Sequence, residues 1–249
     1  MGPSVQGLVE ADVYAGVRTV LGRGRRRGEV VGEVMELLAG ETRIVVCDLD
    51  GLADDTVATA MFAPVTGCLA AWPGAALVIK VRDPDVRHRL RFDEHPQRLV
   101  VRESWVSGVA EAESLLPPAQ HRGLRLAPWQ AGVREARTFA ADTLRDWELS
   151  QLVDPTKLVV SELVTNSILH AATTLRLVLS SADGCVRVAV SDHENVAPDS
   201  GPGDHPRWDS VTGRGLMLVE AMSRSWGVLP SRSPGKTVWS VLDGSSAGI

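Results

Sequence analysis

SELVTNSILHAA, residues 161–172, carries two patterns at once. Leu163, Val164, Ile168 and Leu169 can face a packed interior, whereas Glu162, Asn166 and His170 recur at steps of four and share one stripe of a helix with 3.6 residues per turn. A polar stripe beside an apolar one asks for a partner of its own. For Glu162 and Asn166 taken alone, a solvated helix face is the simpler reading. His170 reads as a helix-end or core histidine rather than a catalytic group, since a cation is favoured near a helix C-terminus in any case.

On either side the pattern is regular. Asp154 and Pro155 offer an N-cap acceptor and a residue whose missing N–H costs nothing at a helix start. Before them, WQAGVREARTFAADTLRDW sets Trp129, Val133, Ala136, Ala140, Leu144 and Trp147 along one side of an amphipathic helix. After them, LRLVL and VRVAVSD alternate with period two around SADG, and the Asp183-Gly184 pair predicts a hairpin. The second strand delivers Asp192 to its end. NVAPDSGPGDHPRWDSV then has the composition of a flexible lid. In TGRGLMLVEAM, Gly213 and Gly215 flank Arg214 directly before an apolar helical run. Glycines there admit backbone N–H groups to an anion, the helix start adds a partial positive charge, and Arg214 adds a full one. With the closing GKTVWSVL strand, the order is helix, helix, hairpin, loop, helix, strand. Trp129, Trp147, Trp226 and Trp239 read as core residues.

A chain of 249 residues suits two domains, each with its own core. Hydrophobic residues at 44%, charged residues at 23% and a formal charge of -5 describe a globular protein with no electrostatic bias toward nucleic acid. Cys47, Cys68 and Cys185 are odd in number and widely spaced, which supports neither a zinc site nor a disulfide framework. No apolar h-region opens the chain and no run approaches membrane-spanning length, so a cytoplasmic location is expected. With three lysines among 26 basic residues, the arginine bias points to a GC-rich bacterial genome.

In the first half, residues 1–28 contain RGRRRG and are expected to form a flexible basic arm. From Glu29, VVGEVMELLAG predicts a helix ending at Gly40, RIVVCDL a buried strand, and DTVATAMFAPVTGCLAAW a helix strained by Pro64. ALVIKV and RLVV predict further strands, and SWVSGVAEAESLL a helix. An α/β sandwich over residues 29–116 follows from that alternation. LLPPAQHRGLRLAP, with Pro117, Pro118 and Pro128, marks residues 117–128 as a linker, leaving 129–249 as the second domain.

LVVSELVTNSILHA, GRGLMLVEAMSRSWGV and GKTVW, in that order, make residues 121–242 resemble the histidine kinase-like ATPases, the fold shared by gyrase, heat-shock chaperones and sensor kinases. The resemblance is greatest to the bacterial anti-sigma-factor and serine/threonine kinase branch. It implies ATP and Mg2+ as ligands, with Glu162 as general base, Asn166 as the oxygen ligand of the metal, and Asp192 accepting from the adenine amino group. Gly213, Arg214, Gly215 and Leu216 would hold the nucleotide, the first three at its phosphates, and Thr237 would support the adenine end. The run DHENVAP departs from the wider superfamily, placing Glu194 and Val196 where glycines are usual, although Pro198 is retained as in the close branch.

RIVVCDLDGLADDTVATAMF makes the front domain resemble STAS domains, the fold of anti-sigma-factor antagonists. Aligning that family's acidic turn on Asp55 leaves Thr56 at the first hydroxyl position and Val57 at the second. Thr56 is then either a phosphoacceptor, held close by a linker that spans about 19 Å, or a helix-start residue in a built-in docking domain; the second is preferred. The implied whole is a bacterial regulator acting on a sigma factor or its antagonist, without direct contact to nucleic acid or membrane, and with homodimer formation left open. Its rivals are a module that binds ATP without chemistry and, on the altered DHENVAP run, a scaffold without nucleotide.

Overall fold

The computed structural model describes residues 16–39, 42–52, 59–90, 98–170, 174–192, 213–230 and 235–244. The chain divides into two compact units, residues 1–118 and 119–249. No described helix is long and apolar enough to cross a membrane.

The N-terminal unit is a parallel sheet in the order β1-β2-β3-β4, made of β1 (Val17–Leu21), β2 (Ile44–Asp48), β3 (Ala76–Lys80) and β4 (Leu99–Arg102). Helices α1 (Arg27–Ala39), α2 (Ala63–Ala71), α3 (Pro84–Arg89) and α4 (Trp105–Leu115) alternate with the strands. β3 is buried along its whole length, as a central parallel strand covered on both faces must be. On one face Ile44, Val46, Ala76, Val78 and Val100 pack with Val109 and Ala112 of α4. Gly108 is what lets α4 approach so closely, since a β-carbon there would meet Val78 at 2.4 Å.

Three expectations change here. Part of the basic arm is structure: Val17–Leu21 is an edge strand, and Arg25 bonds Glu33 at 2.6 Å as the chain enters α1. Pro64 does not strain a long helix; a 3-10 turn over Thr59–Phe62 precedes it, and Pro64 lies in the first turn of α2, where its missing N–H costs nothing. The unanticipated α3 is capped by Asp83, whose side chain accepts from the N–H groups of Asp85 and Val86. Gly40 and Thr56 lie outside the described residues.

At the C-terminal ends of β2 and β3, Lys80 is buried and donates to Asp48 at 2.7 Å and Asp50 at 2.8 Å. Asp50 also accepts from the Arg82 N–H at 2.9 Å, with the Arg82 guanidinium 3.0 Å away. Burial pushes the Asp50 carboxyl up, but the bonds from Lys80 and Arg82 outweigh it and hold the group below its ordinary value. Burial likewise pushes the Lys80 ammonium down, and its bonds to Asp48 and Asp50 more than reverse this.

The C-terminal unit is an antiparallel sheet in the order β5-β6-β7-β9-β8. Its strands are β5 (Ala119–Leu126), β6 (Leu175–Ala182), β7 (Cys185–Ser191), β8 (Ser225–Pro230) and β9 (Lys236–Leu242). Helices α5 (Gln130–Asp146), α6 (Val153–His170) and α7 (Gly213–Met222) complete it. Leu175, Leu177, Leu179, Val186, Val188 and Val190 line the sheet face that meets Ala136, Ala140, Leu144, Val160, Leu163, Val164 and Val219 of the helices. The β6–β7 hairpin turns at Asp183 and Gly184, both with positive φ, 50° and 72°.

The expected linker over 117–128 is thus mostly a strand, β5, paired along its length with β6. A second strand, β8, lies beside β9, so two strands rather than one follow α7. A 3-10 turn over Ser150–Leu152 leads into α6, which already begins at Val153, so Asp154 lies inside the first turn and pairs with Lys157 instead of capping. Trp147 and Trp239 are buried and Trp226 packs on the core, but Trp129 is 66% exposed. It precedes α5 at the N-cap, one position before the periodic face begins.

The Lys80 cluster yields a pH-dependent stability. Because the Asp50 pKa is lowered on folding, its contribution is present above 3.8 and is lost as pH falls through the lower folded value. Lys80→Met is expected to cost about 2–3 kcal/mol at neutral pH in urea unfolding, with the deficit shrinking below pH 3.8. A deficit unchanged by acid would contradict this.

Candidate functional site

α6 has to serve two surfaces. Val159, Val160, Leu163, Val164 and Ser167 are buried, Thr165 and Leu169 are exposed, and Glu162 and Asn166 are half-buried between them. Its neighbours include α7, β7 and β9. Gly215, in the first turn of α7, lies directly against Glu162: a β-carbon on it would come within 2.3 Å of Oε2. The carboxylate therefore occupies the positive end of α7, where negative charge is favoured.

One turn on, Asn166 Nδ2 is buried without a hydrogen-bond partner among the described residues. An orphaned donor of this kind costs about 1–3 kcal/mol, a cost that a bound acceptor would remove.

Asp192 directly follows β7, with its side chain 1% exposed. Its N–H donates to the Lys236 carbonyl at 3.0 Å, and its Oδ1 accepts from the Lys236 N–H at 3.1 Å. Oδ2 lies 3.4 Å from Lys236 Nζ, yet it has no hydrogen-bond partner among the described residues. Beside it, the hydroxyls of Ser191 and Thr237 are 2.8 Å apart across β7 and β9. Gly235 has φ 141°, a conformation that favours glycine, as the chain enters β9.

The anticipated residues thus fall into two groups around α6. Glu162 is brought onto Gly215, and Asp192 beside Thr237. Gly213 opens α7, but the Arg214 side chain lies outside the described residues, as do the His170 side chain, the DHENVAP run beyond Asp192 and the lid. Leu216 is 7% exposed and its side chain belongs to the core, so what it can offer a ligand is a backbone N–H of the first helical turn. Lys236 was not anticipated. Its signal was its place in GKTVW, where Gly235 turns the chain, Lys236 engages Asp192 and Thr237 engages Ser191.

A buried acceptor at Asp192 and a buried donor at Asn166 suit a ligand with amino and anionic parts. Residues 126–241 match the family of histidine kinase-like ATPase domains. The C-terminal part of the chain is such a domain. An ATPase domain implies ATP binding, and the orphaned groups lie within the matched residues. In structure, the chain is similar to the RsbU and RsbW domains of Rv1364c from Mycobacterium tuberculosis, with 18% identity and a TM-score of 0.34. That similarity covers 52% of this chain and 32% of the other, so this chain spans about a third of its neighbour's length. None of the curated proteins compared with the chain is similar to it.

The Gly215 contact separates folding from chemistry. The atom an added β-carbon would strike is the far end of a flexible side chain, so Gly215→Ala is expected to leave the ATPase domain folded, with Tm within about 3 °C. It displaces the Glu162 carboxylate, and if that group acts on ATP from this position, ADP formation falls by about 10²-fold. Unchanged ADP formation would mean that Glu162 does not act from this position.

Proposed function

We propose that the chain is a bacterial regulatory protein kinase of the anti-sigma-factor type, transferring the γ-phosphoryl group of ATP to a serine or threonine of a sigma-factor antagonist or a related partner. The observation that carries this reading is the Glu162 carboxylate held against the bare backbone of Gly215, inside the histidine kinase-like ATPase domain.

In this reading Asp192 accepts the adenine amino group through Oδ2, and Thr237, tied to Ser191, supports the same end. Gly213, Arg214, Gly215 and the Leu216 N–H receive the phosphates at the start of α7. Asn166 would hold Mg2+ through its amide oxygen, while its Nδ2 finds a phosphate or water acceptor. Bound there, Mg2+ supplies neutralisation of phosphate charge. Glu162 accepts the proton of the incoming hydroxyl as the new oxygen–phosphorus bond forms and the bond to the β-phosphate breaks, leaving ADP.

The N-terminal unit is read as a STAS-like regulatory domain. Its support is the regular alternation of parallel strands and helices and the RIVVCDLDGLADD segment, in which β2 runs into the Asp48–Asp50 turn. Its proposed role is to dock on the partner surface of the kinase, with Thr56 the alternative phosphoacceptor. In the alternative, non-catalytic reading, ATP sets a conformation and the partner is only sequestered.

Steady ADP formation by the full chain distinguishes the two. Kinase chemistry predicts that Glu162→Gln binds ATP within about threefold of the parent but forms ADP about 10²- to 10⁴-fold more slowly. Asn166→Ala is expected to lose the magnesium-dependent part of ATP affinity. Tight ATP binding without turnover in the parent chain would establish the sequestering module instead.

A further inference from the structure

Lys236 touches Asp192 in three ways, and only one of them is ordinary strand pairing. The ladder between β7 and β9 ends at Ser191 and Thr237, and the next pair is Asp192 and Lys236. The Asp192 N–H reaches the Lys236 carbonyl as a ladder would, but the Lys236 N–H turns to the side-chain Oδ1. This bond fixes which carboxylate oxygen is used up. The ammonium then stands 3.4 Å from the other oxygen without making a hydrogen bond to it.

Those two facts bear on each other. A carboxylate with 1% exposure and no counter-charge is costly to bury. A counter-charge that bonded Oδ2 directly would take one of its two lone pairs and compete with a ligand for the oxygen. Lys236, itself 19% exposed, offsets the charge from an off-line position and leaves Oδ2 open. We infer that Lys236 is a positioning residue for purine selection: it balances Asp192 and orients it so that Oδ2 accepts an exocyclic amino group.

This role rests on the nucleotide reading of the site. It does not make Lys236 catalytic, since it acts through Asp192. A charge-assisted hydrogen bond to the amino group should show as at least tenfold tighter binding of ATP than of purine riboside triphosphate, which lacks that group.

The test is equilibrium titration of the full chain with both nucleotides, for the parent, Lys236→Met, Lys236→Gln and Lys236→Arg. The expected result is a preference of at least about tenfold in the parent, within about threefold of unity in the Met and Gln variants, and retained in Arg. Should Lys236→Met unfold, the neutral Gln variant, which keeps a polar end, carries the comparison. Equal weakening of both nucleotides with the preference intact would mean a merely structural lysine and would overturn the inference while sparing the ATP site. Failure of the parent to bind either nucleotide would instead overturn the site itself, and this role with it.

Discussion

A carboxylate resting against a residue without a side chain marks the place where α6 meets α7. α6 spends one face on Leu163 and Val164, which fix it against the sheet. With that face committed, the helical repeat leaves Glu162 and Asn166 at the rim of the core, where α7 begins. Any side chain at Gly215 would take the space the carboxylate fills. The apolar packing thus sets the direction of the polar groups, and the glycine sets how near the second helix can come to them.

The readable parts of the sequence were those where both local pattern and burial agreed. Leu163 and Val164 are buried as the helix period reads them and Ile168 packs partly on the core, whereas Leu169 is exposed at the helix end; Asp183-Gly184 announces its hairpin because both residues take positive φ. Three strands went unread, β1, β5 and β8, and each stands at the edge of its sheet. An edge strand is solvated along one side, so it lacks the continuous apolar run or clean alternation of a central strand. β5, AQHRGLRL, is exposed at most of its positions and is flanked by prolines, which made it resemble a linker. β4 is also an edge, but Leu99, Val100 and Val101 gave it away. The helix at Pro84 was missed despite Asp83-Pro84, the same pair that marked the start of α6.

The site was legible as a set of residue types and not as a set of contacts. Glu162, Asn166, Asp192 and Gly215 stand out by spacing and by their place at element ends. Lys236 does not, because its significance depends on a bond between its own N–H and the side chain of a residue 44 positions away. Trp129 illustrates the opposite error: it continues the periodic face of α5 in the sequence, but the helix starts after it, so its indole points away from the core the pattern implied.

Both units place a lysine beside buried or half-buried aspartates at the ends of neighbouring strands, and the two differ in how the carboxylate oxygens are used. The C-terminal edge of a parallel sheet is where open α/β folds usually take ligands, which would favour Asp48, Asp50 and Lys80. There, however, every carboxylate oxygen is already engaged: Asp48 by Lys80 and the Asp50 N–H, Asp50 by Lys80 and Arg82. Such a cluster fastens β2 to β3 and leaves no carboxylate oxygen without a partner. At Asp192 one oxygen is bonded and the other is paired in charge alone. An unspent acceptor held in a dry place is costly to maintain without a ligand that uses it. The cluster whose oxygens all carry hydrogen bonds reads as architecture, and the orphaned Oδ2 is what makes Asp192 the candidate for a ligand.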